Sequence, residues 1–294
     1  KALRTIGPAS ILWATVFLFL KKECNIIMPE KNTISACLVV HNEEKLIGRC
    51  LESIKNLVDE IIVVHDGPCQ DKTLEIAMNF TNKIFEREQI GSMEPHLAFA
   101  YNNSHSEWMM RIDADEFFEQ QALSQIKQLV EKAPEKVGSF EFDWEFWNWS
   151  KSVHNKAFRK KILYRRKKLH FIGVTHQIGL VDGDNVKTNV LLRHQPQYNN
   201  TSWSTFFRKL RHQVPVHAKF FFPDQVKYEC FNYDINVWLQ YISRVKKLII
   251  GHIIFTPFKM GRRVILTFPT FVTPSCFLVF SRLADFTSTH LYGL

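Results

Sequence analysis

The feature that most constrains this chain is a rhythm of short apolar runs, each broken by polar residues and followed by a pattern of helical spacing. Residues 33–40 (TISACLVV) are almost wholly apolar, as a strand buried on both faces must be. Residues 41–44 (HNEE) break the run, and Leu46, Ile47, Cys50, Leu51 and Ile54 then recur at helical spacing. A second run, 60–65 (EIIVVH), meets the turn Asp66-Gly67-Pro68, after which Asp71-Lys72-Thr73 opens a helix. Residues 83–86 read as a third strand, 96–105 as a helix and 108–113 as a fourth strand. Strands alternating with helices across short connections predict an α/β fold, with a parallel sheet, right-handed crossovers and helices on both faces. In 294 residues, a hydrophobic content of 46% supports one large domain or two smaller ones.

The fourth run ends in a concentration of charge. Asp113, Asp115 and Glu116 place three carboxylates in four residues. Packed acids repel one another and lose hydration. A Mg²⁺ or Mn²⁺ ion offsets both costs, since it prefers carboxylate oxygens and accepts phosphates as co-ligands. The first two strands carry His41, Asn42, Glu43, Asp66 and Gly67 at the same end, where open α/β sheets bind their ligands. A carboxylate there can accept from a nucleobase imide or a ribose hydroxyl. One reading is a metal–diphosphate site. The other is a set of solvated turns, with Asn42 as a helix N-cap and the acids capping the helix after them. There is no G-x-G-x-x-G after the first strand and no G-x-x-x-x-G-K-[ST] anywhere, which argues against a dinucleotide-dependent oxidoreductase and a P-loop enzyme.

A buried strand ending VVHNEE, a strand IIVVHDG followed by a D-K-T helix, and a strand ending DADE together resemble glycosyltransferase family 2. The likeness is strong over about 34–129 and weaker to about residue 200. It implies a GT-A fold, a nucleotide-sugar donor (UDP- or another NDP-sugar), a divalent metal (Mg²⁺ or Mn²⁺) and inversion at the anomeric carbon. It also implies that Val40, His41, Asn42 and Glu43 border the nucleotide, with Gly67 in the turn beside them. Asp66 would accept from the base, Asp113 would lie near ribose and metal, and Asp115 would bind the metal. A carboxylate or His must take the proton of the acceptor hydroxyl. Family members often place a Glu after the His of the segment matching Val174-Thr175-His176, but Gln177 stands here and cannot act as a base. Asp143, Glu145 and His176 are the alternatives, and His176 is also a candidate metal ligand. Two rivals stay open: a sugar nucleotidyltransferase, which would carry a Gly-rich basic loop in place of HNEE, and a non-catalytic nucleotide- or membrane-binding module.

The formal charge of +9 suggests anionic partners. Residues 159–168 are strongly basic, but no RNA- or DNA-binding motif accompanies them and nucleic acid is not expected. The cysteines form no C-x-x-C pair, which reads as reduced thiols in a cytoplasmic protein. Expected organisation is an N-terminal extension at 1–30, with Met28 as the natural start, a GT-A domain at 31–200, and a helical apolar region at 201–294. That last region holds amphipathic patterns and a 17-residue uncharged run, 264–280, flanked by arginines and interrupted by Pro269 and Pro274. It is too short and broken for a spanning helix. Two readings stay open, a buried helical subdomain closing over the sheet and an interfacial segment. Attachment to the cytoplasmic face of the membrane is the favoured expectation, with a glycan or lipid-linked acceptor in envelope polysaccharide synthesis.

Overall fold

Each apolar run becomes a strand of one sheet in the computed structural model, which describes residues 31–147, 152–153, 158–173, 179–197 and, beyond these, 202–205, 207–208, 211, 229–232 and 234. Strand β1 (Ile34–Val40) pairs on one side with β2 (Glu60–Asp66), which pairs with the edge strand β3 (Ile84–Arg87). On its other side β1 pairs with β4 (Trp108–Arg111). All three pairings are parallel, with Ser35 opposite Glu60 and Ile34 opposite Trp108. Helices α1 (Ile47–Ile54), α2 (Thr73–Ala77) and α3 (Met93–Asn103) make the connections.

The period-two alternation of β1 assigns the two faces. Ile34, Ala36, Leu38 and Val40 pack with Ile47, Cys50, Leu51 and Ile54 of α1, while Cys37 packs with Leu97, Ala98 and Tyr101 of α3. Helix α4 (Gln120–Glu131) joins the α1 side through Leu123, Ile126 and Val130. Cys37 and Cys50 are buried free thiols, as the apolar patterns around them predict.

Beyond β4 the sheet becomes mixed. Strand β9 (Arg159–Arg165) runs antiparallel between β4 and β6 (Val137–Trp144), and β12 (Asp184–His194) runs parallel to β6. Strand β5 (Glu116–Phe117) closes the far edge, giving the order β3-β2-β1-β4-β9-β6-β12-β5. Two small pairs lie outside it, β7 (Phe146–Trp147) with β8 (Ser152–Val153) and β10 (Leu169–His170) with β11 (Leu180–Val181).

Several expectations change. The acids do not run into a helix. The Glu116 N–H closes a turn on the Asp113 carbonyl at 2.9 Å, and β5 then pairs with β12, setting His194 opposite Glu116. A two-residue strand has no periodicity of its own, so only its partner reveals it. Asn42 is not an N-cap: α1 starts at Ile47, and Asn42 sits at φ 54°, a left-handed conformation that Asn tolerates. Helix α3 starts at Met93, earlier than expected, because Pro95 lies in its first turn, where a missing N–H is harmless. Past residue 200, Phe231 exchanges backbone hydrogen bonds with Phe171 at 2.7 and 3.0 Å and is buried in the α3-side core. The expected helix from 235 and the uncharged run 264–280 lie outside the described residues, as do residues 1–30. Among the described residues no helix is long and apolar enough to cross a membrane.

Candidate nucleotide and metal site

Strands β1, β2, β4, β6 and β12 all point their carboxyl ends the same way, so the polar residues that terminate them share one rim of the sheet. Val40 is the last residue of β1, and the loop after it is tied to the end of β2 and the start of α2. The His41 Nδ1 donates to the Asp66 carbonyl at 2.6 Å, the Asn42 N–H donates to His65 Nε2 at 3.1 Å, and Asn42 Oδ1 accepts from the Gln70 N–H at 2.8 Å. The Glu43 N–H donates to Thr73 Oγ1 at 2.6 Å and the Glu44 N–H to Asp71 Oδ2 at 3.0 Å. Gly67 has φ 85°, and an added Cβ would stand 2.8 Å from that of Gln89, so only glycine fits the turn.

Asp66 is 7% exposed. Its Oδ1 accepts from the Ile90 N–H at 2.6 Å and from His96 Nε2 at 2.9 Å, and its Oδ2 accepts from the Gly91 N–H at 2.8 Å. Burial works against its charge, but these donors outweigh burial and hold the carboxyl below its ordinary range.

The acidic turn divides its labour. Asp113 Oδ2 and Glu116 Oε1 both accept from the Lys160 ammonium at 2.6 Å, and Glu116 Oε1 also takes the Trp144 indole N–H at 2.8 Å. Burial opposes the charge of Asp113, yet Lys160 and Arg111 prevail and keep its pKa low. Glu116 is 1% exposed, and burial, with the charges of Asp113 and Asp115, pushes its pKa up. Asp115 points elsewhere. Its Oδ2 meets His194 Nε2 at 3.2 Å, while the His194 ring lies over Trp144 with centroids 4.5 Å apart. Glu43 belongs to the same field: burial first, then the charges of Asp115, Asp71 and Asp113, push its pKa to about 7.

The donor set fits a hard divalent ion in part. Asp115 offers a carboxylate and His194 an imidazole, and Mg²⁺ or Mn²⁺ is commonly held by one or two protein groups with phosphates completing the shell. Among the described residues no three His, Cys, Asp or Glu side chains already form a cage. Asp113 is held by Lys160 and stands one step back from that pair.

Neither expected carboxylate base lies free. Asp143 is 3% exposed and ion-paired with Arg159 at 2.8 Å, and Glu145, also 3% exposed, is paired with Arg193 at 2.8 Å. His176 lies outside the described residues. Much of the basic run is consumed internally: Arg159 and Lys160 hold acids, Arg165 pairs with Glu107, and Arg166 donates to the Tyr101 carbonyl at 3.0 Å. Lys160 and His194 are the two site residues that sequence reasoning missed. In the sequence Lys160 shows only as one member of a basic run, and His194 only as the end of a strand.

The family model for Glycosyl transferase family 2 matches residues 35–196. An uncharacterized glycosyltransferase of Rickettsia typhi is 33% identical over 96 residues, which are 33% of this chain and 32% of that protein. A TPR repeat-containing protein of Synechococcus elongatus is 28% identical over 99 residues, 34% of this chain and 24% of that protein. The chain thus matches about a third or less of the length of these curated relatives. Among solved structures, glucosyl-3-phosphoglycerate synthase of Mycobacterium tuberculosis, in complex with Mn²⁺ and UDP-glucose, is 15% identical over 64% of this chain and 78% of its own, with a TM-score of 0.43. The S. aureus protein TarS (residues 1–349) is 18% identical over 45% of this chain and 47% of its own, with a TM-score of 0.36. With the family match covering more than half of its residues, the chain belongs to glycosyl transferase family 2.

Proposed function

We propose that the protein transfers a sugar from a nucleotide-sugar to a hydroxyl acceptor with inversion, assisted by Mn²⁺ or Mg²⁺. The observation that carries this reading is the convergence of Asp66, Glu43, Asp113 and the Asp115–His194 pair at one rim of the sheet. In this reading Asp66 accepts from the base, and the loop of Val40, His41, Asn42 and Glu43, with Gly67 across from it, borders the nucleotide. Asp115 and His194 hold the metal, and Asp113 orients toward the ribose from its Lys160 anchor. When bound, the metal supplies Lewis-acid neutralisation of the departing diphosphate. Asp143 and Glu145, each held by an arginine, keep the acceptor side of the rim in shape, which leaves His176 as the group to take the acceptor proton. The acceptor class we favour is a lipid-linked or envelope glycan. Trp203 and Phe207, 56% and 60% exposed, and the apolar sequence after residue 235 support attachment to the cytoplasmic face of a membrane.

A thermal-shift screen of nucleotide-sugars with and without Mn²⁺ tests the donor reading, because binding to the native state raises stability by mass action. A metal-dependent rise with one NDP-sugar is expected, and no rise with any would overturn it. Nucleotide-sugar hydrolysis without added acceptor then separates a transferase from a non-catalytic binding module.

A further inference from the structure

A carboxylate that reads a base must stay ionised and keep one rotamer with a lone pair turned to the ligand. Asp66 has three internal donors, and two of them are backbone N–H groups, whose direction the chain fixes. The third, His96, is a fully buried ring that has two tautomers. Its Nδ1 faces Arg87 Nη1 at 3.5 Å. A guanidinium only donates, so Nδ1 must accept, and the ring proton is thereby assigned to Nε2, facing Asp66.

Arg87 is itself held from a distance. Glu229 meets it in a two-pronged pair, Oε1 to Nη2 at 2.5 Å and Oε2 to Nη1 at 3.2 Å, while the guanidinium lies 4.1 Å from the Phe99 ring centroid. Glu229 lies 142 residues beyond Arg87 in sequence, past the end of the family match, and its segment is pinned to the domain. The Asn102 side chain donates to the Cys230 carbonyl at 2.9 Å, and Phe231 is buried against Phe171. Gly173, at φ 64°, makes room for this segment, since a Cβ there would stand 2.6 Å from the Glu229 carbonyl oxygen.

We propose that Glu229, acting through Arg87 and His96 on Asp66, is a positioning residue that sets the base selectivity of the nucleotide site. This rests on the reading of Asp66 as the base acceptor. Glu229 touches no nucleotide itself. Its loss frees Arg87 and removes the donor at His96 Nδ1, so the ring is no longer anchored on its far side and can turn, which loosens one of the three groups that fix the Asp66 carboxylate. The penalty therefore falls on base recognition and spares the diphosphate.

The test is calorimetric titration of the full chain with UDP, GDP, CDP and ADP in the presence of Mn²⁺. The proteins are wild type, Asp66→Asn, Glu229→Gln and Arg87→Met. Wild type should show a spread of Kd across the four, and Asp66→Asn should collapse it. Glu229→Gln and Arg87→Met should each narrow the spread by about tenfold, on the scale of one charge-assisted hydrogen bond, with the weakest nucleotide changed less than about twofold. Glu229→Asp should restore part of the spread. Equal weakening of all four nucleotides, or an unchanged spread, in a Glu229→Gln protein would overturn the inference while the Asp66 reading stands. A wild type that binds none of the four, or all four alike, would overturn that reading and the inference with it. If Arg87→Met fails to fold, Glu229→Gln, which keeps its shape and one acceptor, decides the matter.

Discussion

Asp115 is the residue on which the metal reading turns. Its carboxylate is partly exposed and its described side-chain contact is with His194, so Asp115→Asn removes a ligand charge without opening the core. The expected result is loss of Mn²⁺-dependent nucleotide binding by calorimetry with an unchanged melting temperature, and retained binding would overturn the assignment. The proton acceptor is tested by Asp143→Ala, Glu145→Ala and His176→Ala. We expect His176→Ala to lower kcat by about 10² or more with nucleotide Kd nearly unchanged. The two carboxylate variants should act mainly on stability, because each removes a buried carboxylate and leaves its partly exposed arginine without that ion pair. Glu43 gives a pH signature. Its folded pKa, about 7, lies above the ordinary 4.5, so between those values the native state holds a proton that the unfolded chain has lost. The contribution of this group to stability therefore falls as pH rises from about 4.5 to about 7 and is flat above. Glu43→Gln should remove that slope. After allowing for its partial exposure, the variant should gain about 1–2 kcal/mol over wild type at pH 8 relative to pH 4.5, read from urea melts at both pH values.

At the scale of elements, β9 is the strand that makes an acidic rim affordable. It runs antiparallel to both β4 and β6 and delivers Lys160 between Asp113 and Glu116, and Arg159 beside Asp143. A carboxylate buried as deeply as Glu116 is costly when unpaired. Lys160→Met keeps the length of the side chain and removes the charge. It should destabilise the domain by about 3 kcal/mol, the low end for breaking a buried pair because the ammonium is partly exposed. A chemical-denaturation midpoint unchanged from wild type would contradict the pairing. The same strand accounts for much of the basic run: side chains that read as a solvated or anion-binding face turn inward to acids on neighbouring strands.

For the molecule as a whole, the membrane reading is open to a fractionation experiment. The full chain should pellet with membranes and be released by detergent, and only partly by high salt. A truncation after Asp234 keeps Glu229 and Phe231 against the domain and should be soluble. A full chain that stays in the supernatant at low salt would rule attachment out. The sequence by itself determined the parallel half of the sheet, because apolar runs of strand length alternating with helical spacing are local patterns read over a few residues. It also placed the acids and Asp66 at strand ends, since an abrupt change from apolar to charged residues is a local signal too. Only the tertiary structure decided the rest. The pairing of β5 with β12 brings His194 to Asp115 across 79 residues, Lys160 reaches Asp113 across 47, and Glu229 reaches Arg87 across 142. Such contacts follow from strand order, and strand order is set by how the whole chain buries its apolar faces at once, which no short window of sequence records.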